Sequence, residues 1–293
     1  MSGLRIGLAG TGYWAATTHA VAAAASPWHF AAVWGRNGSA AERVAAETGA
    51  GFGTDDFDRF LDSVDAVVFA LPPAVQAELG LRALRAGKHV LLEKPVSIDD
   101  ASARLMVEAA AEQGVAALVF FTMLYDPRMR AIIANTREWK GATGLWLGSA
   151  LNDENPFNTP WRHVKGGLWD LGPHALSVTW RTVGPIVDVT AERGAADLVH
   201  LVLRHENGAT STASLTLRAP DAADGFSTTL WGDSGRQELP VDDVDSLAAA
   251  TVALEELYAA ATDGSRSHLA DLTLGRDIVA ILERAEKAIE AAE

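Results

Sequence analysis

The sequence predicts an α/β protein: an N-terminal Rossmann-type doubly wound parallel sheet, followed by a C-terminal α+β domain with a mostly antiparallel open sheet. Up to about Phe121, short apolar runs alternate with alanine-rich stretches that favour helices. This order is typical of a parallel sheet covered by helices. After Tyr125, alternating apolar and polar segments are joined by turn residues, which is typical of antiparallel strands. We therefore expect domains at 1–121 and 122–293.

The elements of the first half follow from apolar runs and helix formers. We expect buried strands at 4–9, 30–34, 66–71, 90–92 and 116–120, separated by helices at 14–25, 40–48, 74–86 and 99–113.

In the second half, the clearest element is a hairpin. The turn Glu206, Asn207, Gly208 separates two alternating segments, 198–205 and 210–217. We also expect strands at 144–151, 186–192 and 227–231, and helices at 169–183, 245–262 and 272–292.

The bulk composition excludes several classes of protein and site. A net charge of -14 argues against nucleic acid and anionic membranes as partners. The absence of cysteine excludes disulfides, thiolate metal sites and a cysteine nucleophile. Only three residues precede the first apolar run, and the longest apolar run, 115–124, is shorter than the ~20 residues of a membrane helix. We expect a soluble cytoplasmic protein.

A glycine turn follows the first predicted strand. Gly10, Gly12 and Ala15 form a G-x-G-x-x-A pattern between strand and helix. Such a turn lets a pyrophosphate approach the backbone at a helix N-terminus, so we predict a dinucleotide site that includes Thr11, Tyr13 and Trp14. The alternative is a turn that needs glycine only for steric reasons.

The end of the second strand bears on the choice of cofactor. Residues 33–37 contain Arg36 and no carboxylate. An acidic residue here would bind the ribose hydroxyls of NAD, whereas arginine suits a 2′-phosphate. We therefore favour NADP over NAD. The alternative is a solvated loop arginine.

Glu93 and Lys94 follow the short strand 90–92 and precede Pro95. The carboxyl ends of strands are where open α/β sheets bind ligands. Proline also disfavours helical backbone at Lys94. A lysine in such a crevice could hydrogen-bond a substrate hydroxyl. The alternative is a Glu-Lys surface pair.

Asp170 and His174 are four residues apart, which places them on one face of a helix. A carboxylate beside an imidazole suits a general base. Proline is tolerated only in a first helical turn, so Pro173 indicates that the helix begins near Asp170. Asp170 could then be its N-cap, and His174 a buried core residue.

The chain has eight histidines, and their spacing does not support a metal site. His200 and His205 are predicted on opposite faces of a strand. We therefore predict no metal site.

Taken together, these motifs resemble the Gfo/Idh/MocA oxidoreductases, which act mainly on sugars, cyclitols and their derivatives with NAD or NADP. The resemblance spans nearly the whole chain. It is carried by I-G-L-A-G-T-G-Y-W-A at 6–15, A-L-P-P at 70–73, A-G-K-H-V-L-L-E-K-P at 86–95, the residues 125–127 and 161–162, and G-G-L-W-D-L-G-P-H at 166–174.

The resemblance implies roles for individual residues. Lys94 would bind and orient the reacting hydroxyl or carbonyl, with a cis Lys-Pro bond; Asp170 would assist, and His174 would exchange the proton. The second domain would pack its open sheet face against another subunit in a homodimer or homotetramer. The cofactor set is Gly10, Thr11, Gly12, Tyr13, Trp14, Arg36, Leu71, Pro72, Glu93 and Lys94, and the substrate set is Lys94, Tyr125, Trp161, Arg162 and His174.

Four residues depart from the family pattern: Gln76 replaces a frequent histidine, Leu124 an arginine, Leu168 a glycine and Ser177 an aspartate. The proton-transfer trio is intact. We therefore expect hydride transfer between NAD(P) and a secondary alcohol or ketone carbon of a sugar, cyclitol or related polyol. The alternatives are a catalytically silent NAD(P)-binding regulator and a redox-neutral elimination or glycoside cleavage.

Overall fold

The computed structural model describes residues 3–135, 137–152 and 155–292. In the first part of the chain, strands that are apolar on both faces build a parallel sheet. The chain divides into two compact units. The first unit combines Met1–Phe120 with Asp245–Arg276, and the second combines Phe121–Val244 with Asp277–Glu293. Each unit is thus made of two stretches of chain, whereas the predicted domains 1–121 and 122–293 are continuous. The functional division into those domains stays a prediction.

The sheet of the first unit has six parallel strands in the order β3-β2-β1-β4-β5-β6. This is the order of a doubly wound nucleotide-binding sheet, so the predicted Rossmann fold is confirmed. The strands are β1 Arg5–Ala9, β2 His29–Trp34, β3 Phe52–Thr54, β4 Ala66–Phe69, β5 His89–Leu92 and β6 Ala117–Val119.

Helices, most of them rich in alanine, cover this sheet. A π-helical segment, Ala15–His19, leads directly into the first α-helix. The helices are α1 Ala20–Ala25, α2 Gly38–Thr48, α3 Phe57–Asp62, α4 Pro73–Arg85 and α5 Asp100–Gln113.

Strand β3 and helix α3 were not predicted. Gly53, in the middle of β3, packs against the backbone of α2, where an added Cβ would lie 2.1 Å from the nitrogen of Glu42. A strand of three residues with a glycine at its centre has no apolar run to indicate it.

A helix from the C-terminal part of the chain completes the first unit. Helix α9, Ser246–Asp263, is anchored by Trp28, whose indole nitrogen donates to the carbonyl oxygen of Leu254 at 2.9 Å. The Trp28 ring also contacts Tyr258 edge to face, with centroids 5.1 Å apart. Unit membership changes within the following helix, α10 Leu272–Ala292, between Arg276 and Asp277.

The second unit is built on a mixed sheet in the order β12-β11-β7-β10-β9-β8. Every neighbouring pair is antiparallel except β7 and β10, which confirms the mostly antiparallel α+β prediction. The predicted hairpin is present as β9 and β10. The strands are β7 Trp139–Leu147, β8 Ile186–Arg193, β9 Val199–His205, β10 Thr210–Thr216, β11 Gly225–Gly232 and β12 Gly235–Glu238.

Two helices of the second unit, Pro127–Ala134 and Pro160–Asp170, were not predicted. The predicted helix 169–183 is preceded by another helix, α7, which has a non-helical break at Gly166 with φ +60°. This break interrupts the apolar period, so the sequence pattern shows only the second helix. The helices are α6 Pro127–Ala134, α7 Pro160–Asp170 and α8 Gly172–Val183.

Candidate active site

The two glycines of the turn after β1 serve different purposes. Gly10 has φ +144°, and a Cβ there would lie 2.5 Å from the carbonyl oxygen of Ala70. Glycine is therefore required by the chain itself. A Cβ at Gly12 would meet nothing within 4 Å. This open space is where a dinucleotide-binding turn admits a pyrophosphate.

The helix after this turn opens with predicted cofactor residues. Tyr13 is 55% exposed. Trp14 is half-buried, and its indole N–H donates to Oε1 of Glu93 at 2.6 Å. Thus Trp14 connects the glycine turn to the end of β5.

Glu93 and Lys94 lie directly after β5. The backbone N–H of Lys94 donates to Oε2 of Glu93 at 3.1 Å, and the Lys94–Pro95 peptide bond is cis, as the resemblance implies. The Lys94 side chain is half-buried. Because β1, β4 and β5 are parallel neighbours, their carboxyl ends share one edge of the sheet, and the glycine turn and Lys94 both follow that edge.

Leu71 and Pro72 follow β4 at the same edge. Pro72 occupies the N-cap position of α4, with Pro73 as the first helical residue. Leu71 is half-buried and Pro72 is exposed.

The end of β2 is also close to the glycine turn. A Cβ on Gly35 would lie 2.6 Å from the Thr11 side chain. Asn37 caps α2 by accepting from the backbone N–H of Ala40 at 3.1 Å. Arg36, between them, is exposed and makes no ion pair or hydrogen bond within residues 3–135, 137–152 and 155–292. A free cation therefore stands beside the turn.

In the second unit, Asp170 is held by Arg162. The guanidinium donates through Nε to Oδ2 at 2.8 Å and through Nη2 to Oδ1 at 3.2 Å. Such a two-point contact fixes both side chains, which are 15% and 7% exposed for arginine and aspartate. Asp170 ends α7, and the cap position of α8 is Leu171. The alternative reading of Asp170 as the cap of the helix is therefore wrong.

Arg162 is fixed from other directions as well. Its Nη1 donates to the carbonyl oxygen of Phe157 at 3.0 Å and to Oγ1 of Thr159 at 3.2 Å. The guanidinium also lies over the Trp161 ring, 4.8 Å from its centroid. The residues predicted to contact substrate, Trp161 and Arg162, therefore also form the support of Asp170.

His174 lies in the first turns of α8 and is half-buried. Its ring is parallel to that of Trp146, with an interplanar angle of 4° and centroids 6.3 Å apart. Trp146 is buried and stacks in turn on Phe226 at 5.3 Å. The imidazole thus lies parallel to the nearer ring of a stacked aromatic pair.

Tyr125 ends a 3-10 turn, Thr122–Tyr125, and is buried with the Arg130 guanidinium over its ring at 5.3 Å. The next residue, Asp126, caps α6 and pairs with Arg128 at 2.7 Å. Hydrogen bonds from the Arg128 side chain lower the pKa of Asp126. The Tyr-Asp-Pro motif is therefore anchored by arginines on both sides.

Candidate metal clusters and membrane-spanning helices are absent from the described ranges. No group of three or more histidine, aspartate or glutamate side chains within them could hold a metal ion. No helix there is long and apolar enough to cross a membrane.

A family of known proteins matches the first part of the chain. Residues 4–121, which carry the glycine turn and Lys94, match the oxidoreductase family with an NAD-binding Rossmann fold, Gfo/Idh/MocA. The part of the chain from 4 to 121 is a Gfo/Idh/MocA-type NAD-binding Rossmann region. The resemblance inferred from the motifs is thereby confirmed.

Two curated relatives in this family are similar over most of the chain. The dTDP-3,4-didehydro-2,6-dideoxy-alpha-D-glucose 3-reductase of Streptomyces violaceoruber is 40% identical over 215 residues, covering 69% of this chain and 58% of that protein. The levoglucosan dehydrogenase of Pseudarthrobacter phenanthrenivorans (strain DSM 18606 / JCM 16027 / LMG 23796 / Sphe3) is 30% identical over 213 residues, covering 65% and 54%. The match thus spans somewhat more than half the length of these relatives.

Solved structures in the Gfo/Idh/MocA family share the fold over the whole chain. A levoglucosan dehydrogenase in complex with NADH and levoglucosan aligns with a TM-score of 0.84 at 19% identity, covering 97% of this chain and 98% of that one. UDP-N-acetylglucosamine 3-dehydrogenase from Acidithiobacillus ferrooxidans aligns with the same TM-score at 22% identity, covering 99% of each chain.

Proposed function

We propose that this protein is an NAD(P)-dependent dehydrogenase or reductase that acts on a secondary alcohol or ketone carbon of a sugar, cyclitol or related polyol. The observation that supports this most is the arrangement at one sheet edge: an open glycine turn after β1 and, two strands away in the sheet, the turn after β5 that carries Lys94. The similarity to a deoxysugar 3-reductase and to a levoglucosan dehydrogenase supports a sugar-like substrate.

The cofactor residues fit a dinucleotide. Gly10, Thr11 and Gly12 form a turn with space at Gly12, and the helix that follows offers its N-terminus to a pyrophosphate. A bound nicotinamide would supply the hydride carrier, as cofactors do in this class of reaction. Tyr13, Trp14, Leu71, Pro72 and Glu93 complete the proposed surroundings.

Proton transfer is assigned to the remaining side chains. Lys94 would donate a hydrogen bond to the reacting oxygen and stabilise the negative charge that develops on it. His174 would accept the hydroxyl proton in oxidation and return it in reduction. Asp170, fixed by Arg162, would assist, and Tyr125 and Trp161 would contact the substrate.

We propose NADP as the preferred cofactor. Arg36 supports this because its guanidinium is exposed and has no ion pair in the described parts of the chain. The residue also comes directly after Gly35, which packs on Thr11 of the glycine turn. A 2′-phosphate would be a natural partner for such a cation.

The decisive experiment is a turnover assay of the purified protein with NADP, NADPH, NAD and NADH. The panel is sugars, cyclitols and their keto forms. We expect absorbance change at the nicotinamide band with at least one of them. Tight NADP binding with no turnover would instead indicate a binding protein. Product release without net change in the cofactor would indicate a redox-neutral reaction.

We also propose that the open face of the second sheet mediates a homodimer or homotetramer. Leu145, Val202 and Trp231 are large apolar side chains on β7, β9 and β11, and they are 47%, 51% and 41% exposed. In a test by light scattering, Leu145→Asp with Val202→Asp should give monomers. The control Arg43→Asp, an exposed residue of α2, should keep the oligomer.

A further inference from the structure

The carboxylate of Glu93 is engaged by protein donors on both oxygens. Oε1 accepts from the Trp14 indole at 2.6 Å and contacts Nε2 of His19 at 2.7 Å, and Oε2 accepts from the Lys94 backbone N–H. The Glu93 side chain is only 12% exposed. A carboxylate with this many internal contacts serves to hold structure in place.

We propose that Glu93 and Gln76 are positioning residues that fix Lys94, and that Glu93 links the Lys94 turn to the helix that follows the glycine turn. The proposal rests on the function proposed above for Lys94. It goes beyond that function because it gives Glu93 a role in ordering Lys94.

The π-helical segment explains how two side chains reach one oxygen. Trp14 and His19 are five residues apart, and in a regular α-helix they would be rotated by about 140° around the axis. Here the N–H of Ala20 donates to the carbonyl of Ala15, the i to i+5 bond of a π turn. The wider turn lets both side chains contact Glu93.

His19 is placed rigidly for this contact. It is fully buried, and its ring meets Phe120 edge to face with centroids 5.0 Å apart. A buried imidazole on one side and an indole on the other leave the Glu93 carboxylate little freedom. Because this helix carries both contacts to Oε1 of Glu93, and Oε2 accepts from the Lys94 N–H, a shift of the helix is expected to displace Lys94.

Gln76 holds the same turn from α4. Its Nε2 donates to the carbonyl oxygens of Glu93 at 2.6 Å and Pro95 at 3.2 Å, and its Oε1 accepts from the Glu93 N–H at 3.0 Å. Gln76 is fully buried. The side-chain amide is suited to this position because it both donates and accepts, which neither a carboxylate nor a leucine does. The backbone on both sides of Lys94 is thereby fixed.

A direct test follows the Lys94 side chain by NMR. The chain has only five lysines, so reductive methylation with ¹³C-formaldehyde gives a spectrum with few signals. Lys94→Arg identifies the Lys94 signal. The test variants are Glu93→Gln, Gln76→Leu and Trp14→Phe, and the matched control is Glu108→Gln, an exposed acid on α5 that pairs with Arg104.

We expect each test variant to shift or broaden the Lys94 signal and to leave the other lysines unchanged. The turnover number should fall roughly 10- to 100-fold in Glu93→Gln, as is typical when a reacting group is misplaced by about 1 Å. The dissociation constant of NADPH, measured by tryptophan quenching, should change less than the turnover number. The Glu108→Gln protein should match the unaltered protein in all three measurements.

The outcomes separate the two proposals. A Lys94 signal in Glu93→Gln and Gln76→Leu that is identical to that in Glu108→Gln would overturn the positioning role. If instead Lys94→Ala leaves turnover unchanged, the proposed function of Lys94 fails. The NMR result still decides whether Glu93 and Gln76 position Lys94. Circular dichroism checks that each variant folds. If Glu93→Gln does not fold, Trp14→Phe, which removes only one donor, decides the case.

Discussion

The ends of β5 and β2 lie on the same edge of one parallel sheet, yet the turns that follow them differ in how many side-chain contacts hold them. The turn after β5 is fixed by Gln76 and by the carboxylate of Glu93, which is itself held by Trp14 and His19. The turn after β2 carries the exposed Arg36, for which the described ranges show no hydrogen bond or ion pair.

The contrast shows that internal contacts hold the turn after β5 and not the side chain of Arg36 after β2. A group that stabilises charge in a reaction acts best when its position is set before the substrate arrives, because no reorganisation is then needed. A group that binds a phosphate at the rim of a site can instead be ordered by the ligand itself. In the function proposed above, Lys94 corresponds to the first case and Arg36 to the second.

The largest effect is expected from Lys94→Ala. Removing a preorganised donor to a developing oxyanion typically lowers turnover by about 10²- to 10³-fold. The measurement is steady-state kinetics on any substrate found in the panel, with Lys140→Ala as the control because that lysine is exposed and belongs to the second unit. Equal turnover in the two variants would remove the distinction between β5 and β2.

A second effect should separate the two glycines of the turn after β1. Gly10→Ala should lower the free energy of unfolding by about 1–3 kcal/mol or more, because φ +144° and the Ala70 carbonyl exclude a side chain. Gly12→Ala should change it by less than about 0.5 kcal/mol and weaken dinucleotide binding. Urea unfolding and NADPH titration measure both, and a stable Gly10→Ala protein would argue against the geometry of the turn.

A smaller effect is expected from Arg36→Ala. Loss of a charge-assisted contact with a 2′-phosphate should raise the dissociation constant of NADP by about tenfold and leave that of NAD nearly unchanged. Isothermal titration with both cofactors provides the comparison. A parallel change for NADP and NAD, or none, would mean that Arg36 does not select the cofactor.

The smallest effect concerns the start of β5. Burial lowers the pKa of His89, whose Nδ1 accepts from the backbone N–H of Ala116 at 2.9 Å. The folded state therefore favours neutral His89, so this contribution to stability is present above the ordinary histidine pKa and is lost as pH falls below about 6.5.

The test of His89 uses His89→Asn, which keeps an acceptor but does not titrate. Urea midpoints of the two proteins should diverge between neutral and mildly acidic pH, with the unaltered protein losing more stability. Parallel curves would show that His89 makes no pH-dependent contribution.

Most of the sheet could be predicted from the sequence because its strands are continuous apolar runs, such as β1 and β4. The elements that the sequence pattern did not predict depend on a close approach of two backbone segments or on an interrupted apolar period. Gly53 in β3 is required by the packing of α2, and the φ of Gly166 breaks α7 within its own length. Both effects are set by the folded structure.

For the candidate site, the same reasoning predicts Lys94, Arg36 and the glycine turn as site residues, because position after a strand is a local signal. The contacts of Glu93 with Trp14, His19 and Gln76 were not predicted. Gln76 lies 17 residues from Glu93 and His19 lies 74 residues from it, so no spacing rule links them. The resemblance did mark Gln76 as a departure, but only the structure shows what its amide contacts.

The return of α9 to the first unit has a practical consequence for anyone who wants that unit in isolation. A protein truncated after residue 121 would lose the Leu254 carbonyl and the Tyr258 ring, and would expose Trp28 to water. It would also lose Arg276, which pairs with Asp100 at 2.6 Å. A stand-alone nucleotide-binding fragment therefore has to be a fusion, with residues 245–276 joined through a new linker to residues 1–120.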